Sequence, residues 1–103
     1  MTEFKIKVLE AVRDLKDNAY GKTVRQAVAR ATEKEIAIGE IYATLDSLER
    51  EGFVRSHQGE ATKERGGRRK RYFKLEERGR RALIEIDTAD RRAVGLLDDP
   101  LSA

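Results

Sequence analysis

The sequence predicts an α+β fold that is mostly helical, and three features of its 103 residues support this class. Apolar residues recur every three or four positions, the period of an amphipathic helix, in four stretches. Between the third and fourth stretches lie two short strand-like segments joined by a glycine pair, as in a β-hairpin. The hairpin also holds a dense cluster of cations. We therefore expect a small helical domain that carries one positively charged hairpin.

The third helical stretch begins near Gly39. At about 100° per residue, Leu45 and Leu48 fall within roughly 40° of Ile41 and form a stripe that faces the core. The opposite side carries Gly39, Ala43 and Arg50, flanked by Asp46 and Ser47. Small residues at the start of this side favour close approach to another surface. Gly52 is expected to end the helix in a left-handed conformation.

The hairpin that follows concentrates positive charge. Residues 63–74 contain one acid, Glu64, and seven cations, so the segment carries +6 and the remaining residues carry −3, for the total of +3. The seven cations are Lys63, Arg65, Arg68, Arg69, Lys70, Arg71 and Lys74. Gly66-Gly67 is expected to form the turn. A solvated hairpin is the alternative interpretation, but such a concentration is typical of proteins that bind polyanions.

Strand alternation assigns the faces of the hairpin. Phe73 and Leu75 are expected to point inward, with Arg68, Lys70 and Tyr72 toward solvent or phosphate. A helix followed by such a basic hairpin predicts a winged helix-turn-helix, in which the hairpin is the wing.

The remaining helices complete this arrangement. Residues 3–16 are expected to form the first helix. Thr23 is the expected N-cap of the second, with Gln26 at capping-box spacing. Residues 36–38 are expected to add a short strand to the wing sheet. The last helix, from Glu76, has an apolar stripe longer than a small core can cover, which indicates an interface.

The length predicts a single compact unit. We expect a winged-helix domain over residues 1–75, a dimerisation helix over 76–97 and a disordered tail over 98–103. The chain has no cysteine, and its one histidine, His57, has no second ligand nearby. The sequence therefore predicts no enzyme, no cofactor and no metal site. No apolar run approaches the roughly 20 residues of a membrane span, so we expect a cytoplasmic protein without a membrane partner.

Several motifs together resemble the PadR family of winged helix-turn-helix transcriptional repressors. They are Gly39-Glu40-Ile41-Tyr42, Leu45 to Val54, Gly66 to Leu75 and Gly79-Arg80, with Tyr20-Gly21 similar to the turn before the family's second helix. The resemblance implies dimerisation through the C-terminal helix, often against the partner's first helix. It also implies repression that a small aromatic or amphipathic effector relieves.

These interpretations predict two sets of site residues. The partner of the first set is double-stranded DNA with an inverted-repeat operator, and the second set forms a homodimer. The DNA contacts are Lys22, Thr23, Gly39, Glu40, Tyr42, Ala43, Thr44, Ser47, Lys63, Arg65, Arg68, Arg69, Lys70 and Arg71. The dimer contacts are Phe4, Val8, Leu83, Ile86, Ala89, Ala93 and Leu97. Two alternatives stay open: Tyr42 packs against the wing instead of DNA, or the whole domain binds proteins and not DNA.

Overall fold

The computed structural model describes the backbone of residues 1–61 and 69–98, and the side chains of residues 1–59 and 70–92. Within these ranges the chain is mostly helical with a small antiparallel sheet, which confirms the predicted fold class. The elements are α1 (Glu3–Leu15), a 3₁₀ turn (Lys16–Asn18), α2 (Gly21–Thr32), α3 (Ile38–Arg50), β1 (Val54–Ala61), β2 (Arg69–Leu75) and α4 (Glu77–Asp98). The predicted glycine turn, the wing-tip cations Lys63, Arg65 and Arg68, and residues 99–103 lie outside the described residues.

Helix α1 crosses the centre of the core. Its N-cap is Thr2, whose hydroxyl accepts a hydrogen bond from the Lys5 backbone N–H at 3.2 Å. Val8 and Leu9 are fully buried among residues of α2, α3 and β2. The prediction that Val8 lies in a dimer interface is therefore wrong, because its side chain has no surface left for a second copy.

Helix α3 buries the predicted stripe and ends as expected. Ile41, Leu45 and Leu48 are each 0% exposed. Gly52 has a φ of +82°, in the left-handed region, and its N–H donates to Glu49 O at 3.0 Å. The Phe53 N–H donates to Leu48 O at 2.9 Å, which completes a Schellman motif. This tight stop sends the chain directly into β1.

The wing strands pair in an antiparallel register of Val54 with Leu75 and Ser56 with Phe73, and Phe73 is fully buried in the core. A third strand-like edge comes from the segment before α2. There Ala19 O accepts from Phe73 N at 2.8 Å, and Tyr20 bridges to Tyr72.

The expected third strand at residues 36–38 is wrong. Ile36 and Ala37 have no regular structure and Ile38 begins α3. Ile36 is apolar because it packs into the core from a loop, which Arg25 holds by donating to Ile36 O at 2.6 Å.

Helix α2 begins three residues earlier than the sequence predicts. Tyr20 is its N-cap, and Thr23 is already the third helical residue. The Thr23 hydroxyl accepts from the Tyr20 N–H at 3.0 Å and donates to Asn18 O at 2.6 Å. Thr23 is therefore not the N-cap, although its side chain does fix the start of the helix.

Helix α4 has 22 residues and is about 33 Å long. It starts against the junction of α3 and β1, where the Glu76 N–H donates to Phe53 O at 2.9 Å and Gly79 packs on the same backbone. Leu83 is 5% exposed and packs with the core, and its place in a dimer interface stays a prediction. Among the helices described, none is long and apolar enough to cross a membrane.

Candidate nucleic-acid interface

The outer side of α3 is open to solvent near its N-terminus. Gly39, Glu40, Tyr42 and Ala43 are exposed, while the buried residues of the same helix face inward. A methyl group added at Gly39 would meet no other atom within 4 Å. At this end of α3, small side chains therefore leave the helix backbone accessible to another molecule.

Two hydroxyls on α3 are satisfied within the helix. Thr44 Oγ1 donates to Glu40 O at 2.9 Å, and Ser47 Oγ donates to Glu51 Oε1 at 3.1 Å. Both side chains are half-buried. Each hydroxyl oxygen still has a lone pair with which it can accept, so these residues suit DNA donors such as an adenine or cytosine amino group.

Tyr42 packs against the start of α2. A methyl group added at Gly21 would overlap the Tyr42 hydroxyl and ring, so the absence of a side chain at Gly21 makes room for the tyrosine. The ring remains 39% exposed. This contact brings the first turn of α2, with the exposed Lys22, beside the N-terminal half of α3.

Tyr20 anchors an aromatic cluster on the outer face of the wing. This residue was not among the site residues predicted from the sequence. Its ring meets Tyr72 edge-on at 5.3 Å between centroids, and Lys70 Nζ lies 4.6 Å from its centroid. Tyr72 also lies across Gly59. Lys70 and Tyr72 are half-buried on the predicted face, so they point toward Tyr20 as well as toward solvent.

Arg71 lies on the opposite face of the wing and joins it to α3. Its two terminal nitrogens donate to Asp46 Oδ1 at 2.8 Å and to Glu49 Oε1 at 2.6 Å. The guanidinium also lies 4.8 Å from the centroid of the Phe73 ring. The prediction treated Arg71 as a free cation for phosphate, and the structure shows it engaged with two acids of the same chain.

Glu49 completes this cluster by reaching the other strand of the wing. Its Oε2 accepts from the Ser56 N–H at 2.9 Å and from Ser56 Oγ at 2.6 Å. The Ser56 hydroxyl, followed by its backbone N–H and Arg71, lowers the pKa of Glu49 although burial opposes this. We call Asp46, Glu49, Ser56 and Arg71 the Arg71 cluster.

A second ion pair fixes the C-terminal end of α3. Lys5 of α1 pairs with Glu51, and this hydrogen bond is the main cause that lowers the pKa of Glu51. The two ends of α3 therefore differ: the C-terminal end is tied to α1 and the wing, and the N-terminal end is open.

Side-chain chemistry gives no sign of a metal centre in the parts of the chain that the structure describes. No group of three or more histidine or acidic side chains there is arranged to hold an ion. His57 stacks on Tyr72 with 5.8 Å between ring centroids.

Lys22 lies in the first turn of α2, which contacts α3 through Gly21 and Tyr42. Lys70 lies over Tyr20, the N-cap of the same helix. Arg69 is on β2, but its side chain and the wing tip lie outside the described residues. The sequence missed Tyr20, Glu49 and Ser56. The spacing of Asp46 and Glu49 puts two acids on one flank of a helix, but which cation they meet depends on how the wing folds back.

Comparison with known proteins identifies the family of the chain. The model of the transcriptional regulator PadR-like family matches residues 8–85. No curated protein matches the chain. A solved PadR family transcription regulator from Clostridium difficile R20291 is 20% identical, with 99% of this chain and 100% of that chain covered and a TM-score of 0.70.

Two further solved structures share the fold. A PadR-like transcription factor from Bacteroides fragilis is 17% identical, with 91% and 85% of the two chains covered and a TM-score of 0.71. A PadR-like transcriptional regulator from Bacillus cereus is 14% identical, with 96% and 91% covered and a TM-score of 0.71. Since the family match spans most of the chain, and confirms the resemblance noted in its motifs, the chain belongs to the PadR-like family of DNA-binding transcriptional regulators.

Proposed function

We propose that the protein is a dimeric, sequence-specific repressor that binds an inverted repeat in double-stranded DNA. The observation that carries the proposal is the exposed N-terminal half of α3, which packs through Tyr42 against the start of α2, where Lys22 is exposed. A helix of this kind reads base edges in the major groove with its N-terminal residues. The wing and Lys22 then contact the phosphate backbone on either side.

Within this arrangement the exposed side chains have distinct roles. Glu40 accepts a hydrogen bond from a cytosine amino group. The Tyr42 hydroxyl, at the junction of α2 and α3, donates to a phosphate. Lys70 and the arginines of the wing supply charge. With three phosphate contacts per subunit, the logarithm of the binding constant should fall with the logarithm of salt concentration with a slope of about −5.

Dimerisation is assigned to the exposed face of α4. Ile84 is 51% exposed, Ile86 is half-buried and Ala89 is exposed, so an apolar surface remains beyond the core. The stripe continues in the sequence through Ala93 and Leu97, whose side chains lie outside the described residues. Half-buried Phe4 offers a contact from α1. A symmetric dimer then places its two copies of α3 roughly 34 Å apart, one DNA turn.

An effector site is proposed in the groove between α1 and α4. The groove has a volume of about 580 Å³, with apolar lining from Ile6, Leu83 and Ile86 and charged lining from Arg13 and Asp87. This mixture suits a small aromatic molecule with a polar group. Binding there would change the angle between α4 and the DNA-binding part of the chain, and so relieve repression.

The proposed location of such a DNA-binding regulator is the cytoplasm.

A mobility-shift titration with DNA from upstream of the protein's own gene tests the proposal. The wild type is compared with an Arg68→Ala/Arg69→Ala double variant. The matched control is Arg81→Ala/Arg92→Ala, which removes the same charge from exposed positions on α4. Selective loss of binding in the wing variant supports the proposal. Equal affinity of wild type and wing variant, or affinity that does not change with salt, contradicts it and favours a protein-binding module.

Two further measurements test the remaining parts. Sedimentation analysis of the free protein should show a dimer, and footprinting should show two protected half-sites. A single asymmetric half-site would contradict the dimeric mode of binding. Titration with small aromatic acids, followed by release of the labelled duplex, tests the effector site.

A further inference from the structure

We propose that two acids on the DNA-reading helix, Asp46 and Glu49, strengthen DNA binding, because they hold the wing in the orientation that engages the duplex. This inference rests on the proposed function. It has an unexpected sign, since a carboxylate near a polyanion is ordinarily repulsive. The geometry of the Arg71 cluster is what reverses the sign.

The cluster links α3 to both strands of the wing at once. Asp46 and Glu49 receive the two terminal nitrogens of Arg71 on β2, at 2.8 and 2.6 Å. The second oxygen of Glu49 receives the N–H and hydroxyl of Ser56 on β1, at 2.9 and 2.6 Å. A two-point, planar contact of a guanidinium with two acids fixes direction as well as distance.

The cluster contributes more to orientation than to stability. The side chains of Asp46, Glu49 and Arg71 are 49%, 34% and 39% exposed, so solvent screens their attraction. Partly exposed pairs of this kind add little to folding. They can still select one wing orientation, because the side-chain hydrogen bonds between α3 and the described residues of the wing all belong to this cluster. Its charge is useful for DNA binding only when the ribbon lies along the duplex.

The alternative role for Arg71 is a direct phosphate contact, with its acid partners released when DNA arrives. The two roles predict opposite effects of removing the acids. If Arg71 binds phosphate, removing an acid frees the cation and raises affinity. If the cluster orients the wing, removing an acid lowers affinity although the net charge becomes more positive.

Two neutral variants separate these roles. Glu49→Gln keeps the size, but its amide has a single accepting oxygen and cannot serve Ser56 and Arg71 together. Asp46→Asn weakens the same cluster from the other acid and guards against misfolding of the first variant. The matched control is Glu85→Gln, an exposed acid on α4 whose removal changes the net charge equally. Arg71→Lys keeps the charge but loses the planar two-acid contact.

The experiment is a fluorescence anisotropy titration of a labelled duplex from upstream of the protein's own gene, at several salt concentrations, with circular dichroism to confirm folding. We expect Glu49→Gln, Asp46→Asn and Arg71→Lys each to bind about tenfold more weakly, since a smaller fraction of the molecules has a competent wing. The salt slope should stay close to that of wild type, since the molecules that bind make the same phosphate contacts. Glu85→Gln should bind as tightly as wild type or slightly more tightly.

If the wild type binds the duplex and both Glu49→Gln and Asp46→Asn bind it equally well or more tightly, this inference is overturned. The proposed function then stays intact. The same holds if Glu85→Gln loses as much affinity as they do. A wild type that fails to bind any duplex overturns both.

Discussion

Two helical glycines should respond in opposite ways to the same substitution, because their surroundings differ. A methyl group at Gly39, on the open end of α3, would meet nothing within 4 Å. A methyl group at Gly79, on α4, would overlap the Phe53 carbonyl oxygen, lie 2.8 Å from Leu75 Cδ1 and lie 3.2 Å from the Phe53 carbonyl carbon. The Phe53 oxygen cannot move freely, because it accepts the Glu76 N–H at 2.9 Å.

The magnitudes follow from these contacts. Replacing glycine by alanine within a helix gains about 0.5–1 kcal/mol of stability from backbone entropy. At Gly39 nothing opposes this gain, so the free energy of unfolding should rise by about 0.5 kcal/mol near the helix end. At Gly79 overpacking costs about 1–3 kcal/mol, and a weakened Glu76 hydrogen bond costs about 1 kcal/mol more. The net loss for Gly79→Ala should be about 1–3 kcal/mol after the helix gain is subtracted.

Thermal unfolding followed by circular dichroism, at one protein concentration, measures both variants. Gly79→Ala should lower the Tm by about 4–8 °C for each kcal/mol lost, and Gly39→Ala should raise it slightly. An unchanged or higher Tm for Gly79→Ala would refute the close docking of α4 on the end of α3. DNA binding gives an independent measurement: Gly39→Leu should fold normally and bind the duplex weakly, since a bulky side chain would fill the surface that is proposed to face DNA.

Three other predictions use separate parts of the chain. Gly21→Ala should displace the Tyr42 ring and weaken DNA binding, whereas in a Tyr42→Ala background it should change little; additive losses in this double-mutant cycle would contradict the contact. Glu49 and Glu51 have lowered pKa values in the folded protein, so their stabilisation is present above the ordinary value of about 4.3 and is lost as the pH falls through the folded values. Urea unfolding at decreasing pH should show this loss below about pH 4.5 in the wild type and a smaller one in Glu49→Gln/Glu51→Gln. Lys16 has φ +53° and ψ −116°, so Lys16→Gly should stabilise the fold by about 1 kcal/mol, and a loss of stability on urea unfolding would show that its side chain outweighs the strain.

Periodicity and glycine placement were enough to predict most of the fold. The stripe of Ile41, Leu45 and Leu48 gave α3 its buried side, and Gly52 marked its end, because both depend on local geometry. Residues 36–38 were assigned wrongly because a short apolar run is equally consistent with a strand and with a loop that packs into the core. Which of these forms depends on tertiary contacts that sequence pattern does not contain.

The candidate site was less predictable for the same reason. The sequence predicts Arg71 as a DNA contact, and nothing local indicates that two acids from α3 meet it. Val8 shows the opposite error: an apolar residue on an amphipathic helix was assigned to a partner when its own core required it. Local pattern indicates which way a side chain points, and the packing of distant segments decides what it meets.

The hydrogen bond between Ala19 and Phe73 has a consequence for which DNA duplexes the protein prefers. It joins the segment just before Lys22 to the strand that carries Lys70, so a main-chain hydrogen bond helps to fix the separation of the backbone at these two residues. A fixed separation between two cations favours duplexes with a matching groove width. Groove width varies with DNA sequence even where the protein contacts no base. Duplexes with identical half-sites but A-tract or G·C-rich flanks should therefore differ in affinity. Equal binding would show that the separation of the two cations adapts to the duplex.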